Sequence, residues 1–495
     1  MPIFTGDALM KENKTNNFGF FIDNTYLNLS SILYNVQSAE PVKNPKLVML
    51  NENLAIDLGL SIEALKSADG VAILSGNRGI PESISFAQRY SGHQFGYFNH
   101  LGDGRALVIG EHRMPNGQRV DIQLKGSGRT PYSRRGDGRA SLGPMLREYL
   151  ISEAMANLGI PTTRSLSVVT TGEPVYRETT QTGAILTRVA SSHIRVGTFQ
   201  FAASHSNETL KDLFNYTLKR HYPECQETEN KIECLLNTFA ERQAKLMAQW
   251  QCAGFVHGVM NTDNVSLSGE TIDYGPCAFI DQYHPDTVFS SIDTTGRYRY
   301  KNQPLIGKWN LARFAETLLP LFESDGERIA NASLDYFDKI YESNWLSLMR
   351  KKLGLANENM EDLALIQELL DCMLKEQMDY HQTFLNLTLG LFNESTQAHS
   401  EAFEKWYKKW IQRRSDQECD VNTQKQFMQM NNPAIIPRNY LVERALDEWT
   451  NHGNETPFRK LNELLSNPFL YTDEQIQMGS PQINWPRTYK TTCGT

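Results

Sequence analysis

The sequence has no C-x-x-C pair, and its seven cysteines, at 225, 234, 252, 277, 372, 419 and 493, are scattered and odd in number. Zinc ribbons and thioredoxin-like dithiols are thereby excluded, and the spacing suits reduced thiols in the cytoplasm. No apolar run approaches the ~18 residues of a membrane span. The opening MPIFTGDALMKENKTNN lacks the basic-then-apolar pattern of a secretory leader. Positive charge is not in excess either: 49 Lys and Arg against 57 Asp and Glu leave a net charge of -8. A chain that takes its affinity from nucleic-acid phosphates shows a basic face instead. Internal repeats and low-complexity segments are also lacking. The expectation is a soluble cytoplasmic monomer with neither nucleic acid nor membrane as a partner.

What is present suits a large folded enzyme. At 495 residues, 40% hydrophobic and 21% charged, the chain can bury an extensive core in several domains or in one bilobal body. Its basic residues are concentrated where glycines are. The segment Gly126 to Arg139 sets Arg129, Arg134, Arg135 and Arg139 among four glycines, so backbone N–H groups and guanidiniums are offered together, as an anion site needs. Upstream, Leu101-Gly102-Asp103-Gly104-Arg105-Ala106 leads into the apolar Leu107 to Ile109. Gly102 and Gly104 would let the backbone approach phosphates closely and Arg105 would add a charged donor, although plain turn chemistry accounts for such a loop equally well.

Asn116-Gly117 signals a tight hairpin, and Arg119 to Lys125 alternates strictly, with Val120, Ile122 and Leu124 on one face. Lys125 ends the other face, either as a phosphate ligand or as an ordinary polar residue. A helix is expected from Pro144 to Leu158, stopped by Gly159 and Pro161, and its Glu148 either pairs with Lys125 or faces solvent. Two strands, Leu166 to Thr170 and Ala184 to Thr187, precede Arg188 and Arg195, which either reach into a cleft or lie on the surface. Tyr90 to Gly96 carries His93, to which no role is assigned.

The chain is organised around Gly254 to Asp281. Leu235, Leu236, Phe239, Leu246, Met247 and Trp250 recur at helical spacing just before it and read as core. Then come His257, the adjacent Asp263-Asn264, and Asp273-Tyr274-Gly275, with a hairpin expected between Val265–Leu267 and Thr271–Ile272 about Ser268-Gly269-Glu270. Such a hairpin would bring Asn264 and Asp273 together as a hard-oxygen pair for Mg²⁺ or Mn²⁺, leaving Asp263 to accept a proton from a hydroxyl. Asp and Asn also cluster at turns and caps for purely structural reasons. Protein kinases place a catalytic Asp, a metal Asn and the D-F-G Asp in this order, but four residues separate their Asp from their Asn, and the H-R-D arginine is missing here.

Elsewhere, Leu54 to Leu60 reads as a helix end closed by Gly59, and Asn310 to Leu321 and Met360 to Leu385 as helices. Asn432 to Glu443 leads into another helix through Trp449, and the stretch from Asn467 reads as a polar, extended tail.

Taken together, YSGHQFG at 90–96, LGDGRA at 101–106, QLKGSGRTPYSRRGDGRA at 123–140, HGVMNTDN at 257–264, TIDYGP at 271–276 and NPAIIPRNYL at 432–441 resemble the selenoprotein O (SelO/YdiU) family. The resemblance implies an α+β, protein kinase-like bilobal fold: an N-terminal extension over 1–80, an N-lobe over 81–205, a helical C-lobe over 206–466 and a tail over 467–495. It implies transfer of AMP from ATP, or UMP from UTP with Mn²⁺, to Ser, Thr or Tyr hydroxyls of proteins, with ATP flipped relative to kinases. On matching positions the nucleotide site is Gly102, Gly104, Arg105, Lys125, Asp137, Gly138, Arg188 and Arg195. Asp263 is the proton acceptor, and Asn264 and Asp273 hold the metal. Ordinary γ-phosphoryl transfer and a nucleotide-binding pseudokinase scaffold are the alternatives. The family also pairs a tail cysteine, here Cys493, with one near the activation segment. Cys277 is the only cysteine in that segment here, at a position where the family's usual partner is not expected.

Overall fold

Strand-forming sequence is concentrated in the first 190 residues and helix-forming sequence in the rest. The computed structural model describes residues 17–393, 400–482 and 489–492. Ten strands form one sheet: β1 (Ile22–Asp23), β2 (Tyr34–Val36), β3 (Lys46–Leu50), β4 (Phe86–Gln94), β5 (Tyr97–Gly102), β6 (Ala106–Arg113), β7 (Arg119–Lys125), β8 (Ala140–Ser141), β9 (Arg164–Tyr176) and β10 (Thr180–Ala190). The strand order is β2-β4-β6-β7-β10-β9-β3, with β1 on β6, β5 on β4 and β8 on β10. Pairing is antiparallel throughout. The first 50 residues thus supply three strands.

Alternation along the strands decides what the site receives. Val120, Ile122 and Leu124 of β7 and Ile185 and Val189 of β10 pack with α1 (Glu52–Asp57), α2 (Ile62–Lys66) and α3 (Ala68–Leu74) on one face of the sheet. Ala184 and Leu186 belong to the core of the other face, with Leu146 and Leu150 of α4 (Leu142–Asn157). A period of two therefore turns Gln123, Lys125 and Arg188 toward α4. All three are buried there, beside Glu148.

Beyond β10 the chain is helical: α5 (Val196–His205), α6 (Asn207–His221), α7 (Lys231–Ala253), α8 (Gln303–Leu318) and α9 (Gly326–Lys352). The stripe Leu235, Leu236, Phe239 and Met247 of α7 is fully buried, as its spacing predicts. At ~1.5–3 kcal/mol per side chain, it anchors the helix that delivers the polar segment. Gly254 ends α7 in a left-handed turn, φ +70°, a conformation that glycine adopts without strain. A two-stranded ribbon follows, β11 (Phe255–Val256) with β12 (Ala278–Phe279). The remaining helices are α10 (Asp362–Lys375), α11 (Tyr380–Leu389), α12 (Glu401–Ser415), α13 (Val421–Gln429), α14 (Asn439–His452), α15 (Thr456–Leu465) and α16 (Asp473–Met478).

Four expectations need correction. The 265–272 hairpin does not pair with itself: Leu267 N–H donates to Ile194 O (2.9 Å) and Thr271 N–H to Pro161 O (2.9 Å), so each arm finds a partner in the segments flanking β9 and β10. Only the turn forms, Gly269 N–H donating to Ser266 O at 3.1 Å. Cys225 and Cys234 form a disulfide with Cα atoms 5.6 Å apart. Their spacing gives no signal because a short turn and the start of α7 bring them together. Met360 to Leu385 is two helices, broken where Gln377 takes φ +54°. The tail contains α16, started by a reciprocal Thr472/Gln475 cap. Cys493 lies outside the described residues. No helix among the described residues is long and apolar enough to cross a membrane.

Candidate functional site

Between the α4-facing side of the sheet and the segment after β11 lies a cavity of about 810 Å³. It is lined by all eleven residues singled out from sequence: Gly102, Gly104, Arg105, Lys125, Asp137, Gly138, Arg188, Arg195, Asp263, Asn264 and Asp273. Each arrives by a different local rule. Lys125 and Arg188 are placed by strand alternation, Arg195 by the start of α5, and Asp263 and Asn264 by a single 3₁₀ turn, Thr262–Asn264. Asp273 sits at φ +69°, a left-handed conformation that Asp tolerates better than most side chains.

One buried carboxylate, 3% exposed, organises the floor. Glu148 of α4 accepts from Lys125 Nζ at 2.5 Å and from Arg188 Nε at 2.9 Å. Burial opposes its ionisation, but the charges of Arg188 and Lys125 prevail and keep it an anion. Lys125 also reaches Asp273 Oδ1 at 3.1 Å. Asp273 loses solvation too, and Lys125, Arg188 and Arg105 outweigh that loss, holding its carboxyl well below the usual range. Arg188 further donates to Gln123 Oε1 at 3.2 Å. Arg195 pairs with Asp103 at 3.2 Å and lies 4.4 Å over the Tyr90 ring. Its ionisation is secured by Tyr90, Asp103 and Asp263 against burial.

Asp263 differs from its neighbours. Its Oδ1 is buried with no hydrogen-bond partner among the described residues. Burial pushes its carboxyl up to about 6, with Arg195 opposing the shift and Asp273 adding to it. A carboxylate so poised can accept a proton near neutral pH.

The glycine-arginine segment closes the other end. Gly138, at φ +68°, passes so close to Gly128 that a Cβ would lie 2.1 Å from its carbonyl carbon. Asp137 Oδ1 accepts from Arg139 N–H at 2.9 Å, and Arg177 grips its two oxygens at 2.8 and 3.1 Å. Eight arginines line the cavity: 105, 129, 134, 135, 139, 177, 188 and 195. The last four have carboxylate partners. Arg105, Arg129, Arg134 and Arg135 form no ion pair among the described residues. An acidic protein thus keeps four guanidiniums unneutralised at one concave surface, which attracts polyanions.

Sequence reasoning left the YSGHQFG segment without a role, and the structure gives it one. Gly92 lies against Asp263, where a Cβ would come 2.5 Å from Oδ1. His93 N–H donates to Thr262 Oγ1 at 2.7 Å and Phe95 N–H to Asn261 Oδ1 at 3.1 Å. Thr262 Oγ1 in turn donates to Gln200 Oε1, whose amide nitrogen sits 2.8 Å from His93 Nδ1. The β4–β5 turn therefore clamps the loop that carries Asp263. His257 is structural too: its Nε2 lies 2.9 Å from Ile272 O and its ring stacks on Trp250 at 5.2 Å, tying the Asp263 loop to the segment that carries Asp273. Arg177, Asp103, Gln123 and Tyr90 were not singled out. Only their fold partners reveal them.

The chain is similar to proteins of one known family. A family model described as protein adenylyltransferase SelO matches residues 19–466. Curated relatives named protein nucleotidyltransferase YdiU are similar along almost their whole length. The protein of Bacillus cytotoxicus is 55% identical over 490 residues, 98% of this chain and 100% of its own. That of Brevibacillus brevis is 54% identical, with 96% and 98% covered. That of Anoxybacillus flavithermus is 54% identical, with 97% and 100% covered.

Proposed function

Because the chain belongs to the SelO family of protein adenylyltransferases, we propose that it moves AMP from ATP, or UMP from UTP, to Ser, Thr or Tyr hydroxyls of other proteins. The sheet with residues 81–205 acts as the N-lobe of a kinase-like bilobal body. Residues 206–466 act as the helical C-lobe, 1–80 as an extension joined to the sheet and 467–495 as a tail. The observation that carries the reading is the cluster of unneutralised guanidiniums in the same cavity as Asp263.

The acceptor hydroxyl oxygen attacks the α-phosphorus while Asp263 takes its proton. The bond from the α-phosphorus to the bridging oxygen breaks, and pyrophosphate leaves. A β,γ-pyrophosphate leaving group develops charge, and fixed cations stabilise it without reorganising. Arg105, Arg129, Arg134 and Arg135, without carboxylate partners among the described residues, supply that charge; Lys125, Arg188 and Arg195 add donors to the phosphates, and Gly102, Gly104, Asp137 and Gly138 shape the loops around them. A kinase, which transfers the terminal phosphoryl group, has less need of so many buried cations; this favours the flipped nucleotide.

Asn264 and Asp273 suit Mg²⁺ or Mn²⁺. Asp273 is held ionised, and the Asn264 amide nitrogen donates to Val259 O at 3.1 Å, which leaves its carbonyl oxygen as a donor to metal. When bound, the ion would neutralise phosphate oxygens; the other cavity ligands are the chain's own.

Label transfer tests the proposal. ATP labelled at the α-phosphate should label protein acceptors and ATP labelled at the γ-phosphate should not, with transfer lost in Asp273→Ala. Transfer of γ label alone would make the protein a kinase and overturn the roles given to Arg188 and Arg195.

A further inference from the structure

The NPAIIPRNYL string at 432–441 contributes no residue to the lining of the nucleotide cavity. Two of its residues, Pro433 and Ile436, instead wall a second cavity of about 130 Å³ where the C-terminal ends of α7 and α9 meet the start of α11. Leu348 and Phe469 extend the apolar wall. Lys352 and His381 interrupt it, with the amides of Gln249 and Asn431. Lys352 is 6% exposed and forms no ion pair among the described residues; its ammonium sits 4.3 Å over the Phe384 ring and 5.7 Å over that of Tyr380. His381 Nε2 is buried with no hydrogen-bond partner among the described residues.

The neighbouring buried cation is treated differently. Arg438, from the same string, is neutralised by Asp379 at 2.8 Å and Asp281 at 3.2 Å. A buried ammonium with no ion-pair partner among the described residues is costly unless something else pairs with it. Burial draws Lys352 down to about 8, with the Cys252 thiol opposing the shift, so the group is still mostly charged at neutral pH. Burial and the charges of Arg438 and Lys352 keep the His381 ring neutral, and the ring is hydrogen-bonded to the Ala434 backbone. A cavity of this size approaches the ~150 Å³ that accommodates benzene, or about six heavy atoms.

We propose that this cavity is a second ligand site, distinct from the nucleotide cavity, for a short-chain carboxylate that pairs with Lys352 Nζ and lays its alkyl tail against Leu348, Ile436 and Phe469. The site touches both arms of the segment that carries the proposed chemistry. Tyr380 N–H donates to Asp281 O at 2.8 Å, and its hydroxyl donates to the carbonyls of Gln251 and Cys252 at 3.2 Å each, at the end of α7. An occupant would brace the entry to the Asp263 loop and the exit from Asp273 against α9.

Calorimetric titration of the full chain with butyrate, butyramide and inorganic phosphate tests this. Butyrate should bind roughly tenfold or more tightly than butyramide, since only the anion forms the charge-assisted pair. Lys352→Met should abolish that preference, while Arg195→Ala, in the nucleotide cavity, should leave it intact. Equal binding of the two, phosphate in preference to butyrate, loss of butyrate binding in Arg195→Ala, or no butyrate binding to the wild type would each overturn the assignment. Should Lys352→Met not fold, the wild-type comparison of butyrate with butyramide decides it.

Discussion

Replacing Asp263 by Asn should abolish transfer and yet stabilise the folded protein at neutral pH. The carboxyl is 8% exposed, one oxygen has no hydrogen-bond partner among the described residues, and burial lifts its pKa from 3.8 to about 6. A folded-state pKa above the unfolded value means that the folded chain holds the proton more tightly. The associated stability is therefore fully present below the unfolded pKa and is lost as pH rises through about 6. Two pKa units at ~1.36 kcal/mol each give a loss of about 3 kcal/mol by neutral pH. Asn carries no such loss. Urea unfolding of both proteins at about pH 4 and about pH 7.5, without nucleotide or metal, should show the variant gaining ~2–3 kcal/mol relative to wild type between the two conditions. Every other titrating group is common to both proteins and cancels in this difference. A constant difference, or one that shrinks as pH rises, would refute the claim that Asp263 is a desolvated, poised base. The same reasoning requires wild-type kcat/KM to climb through about pH 6 to a plateau, as the deprotonated form accumulates.

Glu148→Gln removes the anion shared by Lys125 and Arg188. It should lower stability by about 3 kcal/mol, the cost of leaving buried cations uncompensated. Because the folded-state pKa of Glu148 is depressed, that deficit should be present at neutral pH and fade as pH falls through and below the carboxylate range; a deficit under about 1 kcal/mol at neutral pH would show that Asp273 alone suffices. Gly92→Ala pushes a methyl to within 2.5 Å of Asp263 Oδ1. Turnover should drop by about tenfold or more, as misplaced reacting groups do, with nucleotide affinity nearly unchanged; equal losses in both would instead indicate a general disturbance of the sheet.

Much of the site was legible because its chemistry rests on residue types that have few other uses in combination. Glycines alternating with arginines, a lysine ending a strictly alternating strand, and Asp-Asn followed nine residues later by Asp are local strings, and local strings survive without a fold. The 265–272 hairpin was misread for the converse reason. Its turn is local, but the partners of its arms, Ile194 and Pro161, come from elsewhere in the chain, and no periodicity reports them. Cys225–Cys234 escaped in the same way.

By itself the sequence determined the strand-rich first part and helical second part, the face on which Lys125 would emerge, and the family. Composition, alternation and contiguous motifs carry that information. Tertiary structure alone decided that Glu148 serves two cations, that Arg177 grips Asp137, that Gly92 makes room for Asp263, and that Lys352 is left without a counter-ion. Each of these depends on distance between segments remote in the chain and on how much water the fold excludes there. Desolvation and Coulomb energy are set by those distances, and a linear sequence does not contain them.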